Sequence, residues 1–206
     1  MRYRHQYAGV DDAAVWSFVR SQSHGRLVTY EPAAAPRLGI YPFVAADGVV
    51  EMHFAEGDPQ LDQLRAHPAA LFEVDEPLAF IPSHFSGDES AMHADLYYRF
   101  VSMECDVALD RSEAAVRDHL ARLLARYQPE GRFRPLTEPR ADYGGAMRRL
   151  TCARLTPRTV AARYKLGQQD APPRHARTAE ALRLRGTPID VRTAAVLDTL
   201  PSPAND

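Results

Sequence analysis

Apolar and polar positions alternate through Val49-Val50-Glu51-Met52-His53-Phe54, the period-two pattern of a half-buried strand. Asp58-Pro59-Gln60 then supplies an N-cap and a first-turn proline for a short helix, and Pro68-Ala69-Ala70-Leu71-Phe72-Glu73-Val74 opens another strand. This strand, helix, strand stretch is predicted to form one compact unit. His53 ends its first strand beside Ala55-Glu56-Gly57 and the coming helix N-terminus, so a ring donor would sit next to backbone N–H groups that favour an anion. A phosphate-bearing cofactor suits such a corner; a histidine there also serves as a purely structural hydrogen-bonder.

The rest of the chain holds more strands than helices. Asp11-Asp12 ahead of the Ala13 to Arg20 stretch predicts a short helix with acids at its positive end, stopped near His24-Gly25. Arg26 to Tyr30 and Leu38 to Val44 predict two strands across an Ala/Pro loop, with Pro42 marking an edge or a bulge. Leu78-Ala79-Phe80-Ile81 and a long segment from Asp95 to Leu109 continue the sheet. In that segment Tyr97, Arg99, Val101, Met103 and Cys105 share one face, and Leu96, Tyr98, Phe100, Ser102 and Glu104 the other. Both faces mix apolar and polar groups, so part of each must meet protein, ligand or a second subunit.

Ser112 caps a helix with Val116, Leu120, Leu123, Leu124 and Tyr127 at helical spacing; Gly131 lies just past its end, and His119 is placed at its solvent boundary. After a Pro-rich loop over Arg132 to Tyr143, Met147 to Leu155 and Thr159 to Lys165 read as two further strands. Two helices close the chain, from about His175 to Arg185 before Gly186, and from Thr187-Pro188 to about Leu200, ahead of a frayed tail from Pro201 to Asp206. The predicted class is α+β, a mostly antiparallel sheet with peripheral helices. Closing it into a barrel removes the edges of so many strands.

With 206 residues, one large domain is expected, and a net charge of −2 gives no general electrostatic reason to bind nucleic acid or an anionic membrane. Cys105 and Cys152 both fall in strand-like segments, which predicts reduced core thiols rather than a disulfide or a metal site. Met1 to Tyr7 is polar and aromatic, unlike a signal peptide, and no run approaches membrane-spanning length, so a cytoplasmic protein with no membrane partner is expected. No Gly-rich phosphate loop, nucleophile elbow, paired-histidine helix or zinc spacing is present.

Five blocks, in order, carry a resemblance: Met1 to Tyr7; Leu27-Val28-Thr29; Met52-His53-Phe54-Ala55-Glu56-Gly57-Asp58-Pro59-Gln60; Ile81-Pro82-Ser83-His84-Phe85; and Lys165-Leu166-Gly167-Gln168-Gln169. They resemble the PaiB-like family, FMN-binding negative transcriptional regulators in the pyridoxamine-phosphate-oxidase-like split-barrel superfamily. The second long block keeps the His, Ala, Pro and Gln of that family's Gly-His-x-Ala-x-x-Asn-Pro-Gln pattern at the same spacing. The departures are Asp95-Leu96-Tyr97-Tyr98 in place of a Pro-Thr-Trp-Asn-Tyr segment, and His84 where the family's serine block has tryptophan.

The resemblance implies an antiparallel, homodimeric split β-barrel over residues 1–170, with a helical extension over 171–206 packed on it and a cofactor groove shared by two subunits. For FMN it nominates His53, Gln60, Ser83 and Lys165 as polar contacts, Tyr97 and Tyr98 as walls for the ring, and Gln168 for the ring's polar edge. The same positions are open to a plainer reading, with Lys165 a solvated strand end and the tyrosines barrel core. His84 supports a haem alternative as an axial ligand, with His53 in reserve, because piperazate synthases, which form an N–N bond on an N-hydroxylated ornithine, resemble this family and use haem b. A redox or ligand-sensing role follows from either cofactor, and a flavin or haem oxidoreductase is the enzymatic form of it. A DNA-binding transcriptional repressor is a further alternative, although direct DNA binding by the two last helices is not expected, because Asp190 to Asp198 offers one arginine, Arg192, flanked by acids instead of a recognition surface.

Overall fold

The computed structural model describes residues 10–32, 34–87, 90–137 and 143–200. The Met1 to Tyr7 block and the Pro201 to Asp206 tail lie outside them. In chain order the elements are α1 (Asp12–Ser21), β1 (Gly25–Thr29), β2 (Arg37–Tyr41), β3 (Val44–Ala46), β4 (Val49–Ala55), α2 (Pro59–Ala66), β5 (Ala69–Ile81), β6 (Asp95–Asp110), α3 (Glu113–Tyr127), α4 (Tyr143–Met147), β7 (Leu150–Lys165), α5 (Pro172–Arg185) and α6 (Pro188–Leu197). Short 3₁₀ turns at Ser83–Ser86 and Ala91–His93 lie between β5 and β6.

The strands form one seven-stranded sheet in the order β2-β1-β5-β6-β7-β4-β3. The ladders joining β1 to β2, β1 to β5, β3 to β4 and β4 to β7 are antiparallel. The α+β class with an antiparallel sheet is borne out. Asp47-Gly48, both at positive φ (51° and 75°), make the tight turn from β3 into β4 that a right-twisted hairpin favours.

The β4, α2, β5 stretch falls, as far as Val74, in one compact unit as expected, although β7 and β6 lie between β4 and β5 in the sheet. Other sequence expectations change. The two strands expected on either side of Asp75 are one 13-residue strand, and those on either side of Pro157 are one 16-residue strand. Both run through a proline, and the register explains why. Pairing of β1 with β5 ends at Arg26 opposite Glu73, so Pro77 lies past it; pairing of β4 with β7 ends at Val50 opposite Leu155, so Pro157 lies past that. At each point the long strand has outrun one neighbour, and a residue without N–H costs no ladder bond on that side. Gly25 does not stop α1, which ends at Ser21; it starts β1 instead. Pro42 is consistent with an edge: β2 is terminal in the sheet and ends at Tyr41.

The chain divides into two compact units. One comprises Ala13–Val74 and Ser102–Val160; the other comprises Asp75–Val101 with the described parts of Met1–Asp12 and Ala161–Asp206. The first buries Leu27, Phe43, Met52, Phe54, Leu61, Phe72 and Met103, and both cysteines are free and buried. The second buries Leu78, Ala79, Ile81, Tyr97 and Leu166 against Ala179 and Leu182 of α5 and Ala194, Val196 and Leu197 of α6. These two helices meet at Gly186 (φ 67°), followed by a Thr187–Asp190 capping box. Among the described residues no helix is long and apolar enough to cross a membrane.

Candidate functional site

Ser83, His84, Tyr97, Tyr98, Lys165 and Gln168 all belong to the unit that contains Asp75–Val101, whereas His53 and Gln60 belong to the other. Strand alternation separates the two tyrosines. Tyr97 is 4% exposed within the core, and burial, with Asp170 and Asp95 adding, pushes its phenol above the ordinary value. Tyr98 points to the opposite face of β6, half-buried, in line with Phe100 and the 44% exposed Leu96. That strip is apolar and open. Phe80 on β5, 55% exposed, adds an aromatic ring to the surface of the same unit.

Charges in this unit pair across strands and helices. Lys165, the last residue of β7, pairs through Nζ with Asp95, the first residue of β6. Arg99 donates through Nε to Glu76 Oε2 at 2.7 Å and holds its guanidinium carbon 5.9 Å from the centre of the Tyr164 ring. Glu76 also accepts from Arg192 Nε at 2.7 Å, so one carboxylate lies between two guanidinium groups. Sequence reasoning passed over Arg99 and Glu76 because neither belongs to a recognisable block; only their place on strands bordering Tyr98 and Lys165 brings them in.

Gln168 is committed to its own turn. Its Oε1 accepts from Leu166 N at 2.7 Å and its Nε2 donates to Tyr164 O, closing the chain around Gly167. Ser83 opens the 3₁₀ turn after β5. His84 follows with an exposed ring set edge-on to Phe85, centroids 5.0 Å apart, and Arg185 lies over Phe85 at 4.8 Å.

In the other unit, Gln60 is buried and fully engaged. Its Nε2 lies 3.0 to 3.2 Å from Leu27 O, Thr29 Oγ1 and Arg37 O, and its Oε1 accepts from Tyr41 Oη at 2.6 Å. It ties α2 to β1 and β2. The anion seat suggested at the start of α2 is filled by the chain's own carboxylate, since Asp58 Oδ1 accepts from Gln60 N at 2.8 Å. His53 turns toward α3, where its Nδ1 lies 3.1 Å from Nε2 of His119. His119 is thus not at the solvent boundary: it is 1% exposed, and burial first, then His53, lowers its pKa to about 4. Its spacing held the signal, three residues after Val116 and four before Leu123, inside the apolar stripe.

Residues 1–154 match the family described as "Putative FMN-binding domain"; Lys165 and Gln168 lie beyond the matched stretch. Among curated proteins, none is similar in sequence. Among solved structures, the chain resembles a flavocytochrome of Azotobacter vinelandii at TM-score 0.66 and 14% identity, covering 80% of this chain and 72% of that one. It resembles a FAD and heme binding protein of Mycobacterium smegmatis at TM-score 0.64 and 12% identity, covering 77% and 73%. A conserved hypothetical protein of Mycobacterium tuberculosis follows at TM-score 0.61 and 18% identity, covering 80% and 90%. At these identities the likeness is one of fold.

Proposed function

The chain belongs to this FMN-binding-domain family, with FMN as its cofactor, and from that premise we propose that it is a PaiB-type flavin-binding split-barrel protein with a redox or ligand-sensing role. The observation that carries this reading is the open Leu96, Tyr98, Phe100 strip on the strand whose first residue, Asp95, pairs with Lys165. FMN presents a flat apolar ring and a dianionic phosphate; the strip offers a surface for the ring, and the Lys165 ammonium group, paired with Asp95 at the start of the same strand on its Tyr97 face, offers a partner for the phosphate. The donor set fits the group.

In this reading Lys165 and Ser83 hold the phosphate, and Tyr98 lies along the ring. Asp95 competes with the phosphate for the ammonium group, which keeps Lys165 extended and oriented before the cofactor arrives. Bound FMN supplies hydride and single-electron transfer, while the protein sets its orientation and its access to water. A strip on one strand covers only one side of a ring, so a second copy of the chain is proposed to supply the other, with residues 171–206 as an extension of a 1–170 barrel domain.

His84 supports a second reading. Its ring is exposed and meets Phe85 edge-on, which leaves an imidazole accessible to haem iron. The FAD and heme binding protein of Mycobacterium smegmatis, similar in fold, is named for haem, which supports this reading.

Reconstitution with each cofactor separates the readings. Stoichiometric retention of FMN through gel filtration, with its two near-ultraviolet and blue bands and altered fluorescence, is expected. A protein that retains no FMN at micromolar concentration sinks the proposal, and a Soret band lost in His84→Ala establishes the haem reading in its place.

A further inference from the structure

Strand β4 sends Glu51 and His53 to one face, two residues apart, and α3 lies over them. His119 of α3 reaches His53 Nδ1 with its Nε2 at 3.1 Å, while its buried Nδ1 has no hydrogen-bond partner among the described residues and lies 4.0 Å from Glu51 Oε2. Glu51 is kept in place by Arg122 of α3 at 2.5 Å and Arg154 of β7 at 3.3 Å. Cys152, opposite His53 in the β4–β7 ladder, is a neutral thiol raised to about 11 by burial.

The contact between two neutral imidazoles holds one proton, and the carboxylate decides which ring gives it. A lone pair on His119 Nδ1 would face the negative charge of Glu51, whereas an N–H there faces it favourably. With the proton on Nδ1, the lone pair of His119 is at Nε2, so His53 must donate from its own Nδ1. Its Nε2 is then left with a lone pair. Burial supports this arrangement by lowering the pKa of both rings, so that neither is the double donor of an imidazolium.

We propose that His119 and Glu51 are positioning residues that fix His53 as its Nδ1–H tautomer, so that His53 serves through Nε2 as an acceptor for the N–H, O–H or ammonium group of a ligand and not as a donor to phosphate. This is independent of the residues assigned to FMN above. It restricts the ligand chemistry at β4 to hydrogen-bond donors. An imidazole in water prefers the opposite tautomer, so the predicted state is not a default.

Long-range ¹⁵N–¹H correlation of the histidine rings in the full chain at pH 7 tests it. The expected spectrum has Nδ1–H at both His53 and His119. His119→Phe should return His53 to Nε2–H, Glu51→Leu should do the same through His119, and Glu51→Gln, whose carbonyl still accepts, should restore the original pattern. Inorganic phosphate at saturating concentration should leave the His53 Nε2 resonance unmoved. Nε2–H at His53 in the unaltered protein overturns the proposal, as does protonation of His53 driven by phosphate; because the unaltered protein gives the decisive spectrum, the conclusion survives a variant that fails to fold.

Discussion

The hydroxyl of Tyr97 stands where a side chain on Gly167 would begin: a β-carbon there would lie 2.1 Å from the Tyr97 oxygen and 2.9 Å from its ring carbon Cζ. Gly167 also has φ of 73°, a left-handed backbone that other residues adopt at a cost. Gly167→Ala should therefore lose about 2–4 kcal/mol, by strain and by displacing a buried phenol. Gly131→Ala isolates the backbone share, because Gly131 has φ of 68° and open space around it. It should cost about 1 kcal/mol, and urea denaturation of both variants measures the difference. Equal losses would refute the clash.

The opposed tyrosines give a paired functional test. Tyr98→Ala should weaken FMN binding about tenfold, near 1.4 kcal/mol, while leaving the melting temperature almost unchanged. Tyr97→Ala opens the core and should cost about 3–5 kcal/mol of stability. Fluorescence titration with FMN and thermal melts of the same preparations distinguish the two. An inverted pattern would place the ring on the wrong face of β6.

The Lys165–Asp95 pair predicts a gain of binding. Asp95→Asn removes the charge that competes for the ammonium group, and FMN should bind about three- to tenfold more tightly at low salt, the advantage shrinking as salt screens the phosphate. Lys165→Met should weaken binding in the opposite sense. Titrations at low and high ionic strength check both.

His119 makes stability depend on pH. An unfolded chain takes up a proton near the ordinary imidazole value of 6.5, whereas the folded chain resists until about pH 4. The folded pKa is depressed, so the unfolded state binds more protons in this window and stability falls as pH drops from about 6.5 to about 4. The loss is on the order of 3 kcal/mol. Urea midpoints measured from pH 7 to pH 4 should show a slope that His119→Phe largely removes.

Asp190 is a fully buried carboxylate held by Arg185, by its Thr187 cap and by the Thr187 backbone; these contacts lower its pKa to about 2, the Arg185 hydrogen bond first. Asp190→Ala should cost about 2–4 kcal/mol by leaving the cap and the guanidinium without their acceptor. Thermal melts of Asp190→Ala, Arg185→Ala and the double variant would show a coupled loss, smaller than the sum of the single losses.

Local chemistry was legible in the sequence wherever one short segment decided the outcome. The Thr187-Pro188 start of α6, the Ser112 cap of α3 and the alternation that buries Val101, Met103 and Cys105 are written in adjacent residues. The continuity of β5 and β7 was not, because whether Pro77 or Pro157 breaks a strand depends on where β1 and β4 happen to end. The nominated residues divided on similar grounds. Gln60 lies in the family block, yet its hydrogen-bonding capacity is taken by strands remote in sequence; His119 looked peripheral because its polarity masked its place in the apolar stripe. Asp95 and Glu76, the carboxylates that tune the cations of the candidate site, are visible only once β5, β6 and β7 are brought side by side.

Strands that outrun their neighbours leave main-chain groups able to recruit a foreign strand, the first step toward aggregation. Pro77 and Pro157 lie just where β5 and β7 lose a neighbour, and each takes away a donor such an intruder would need. Two imino acids that look like strand breakers thus stand where a ladder partner is already lost, and on β5 the main chain just beyond is taken up by Thr193 and Arg185 and not left to another strand.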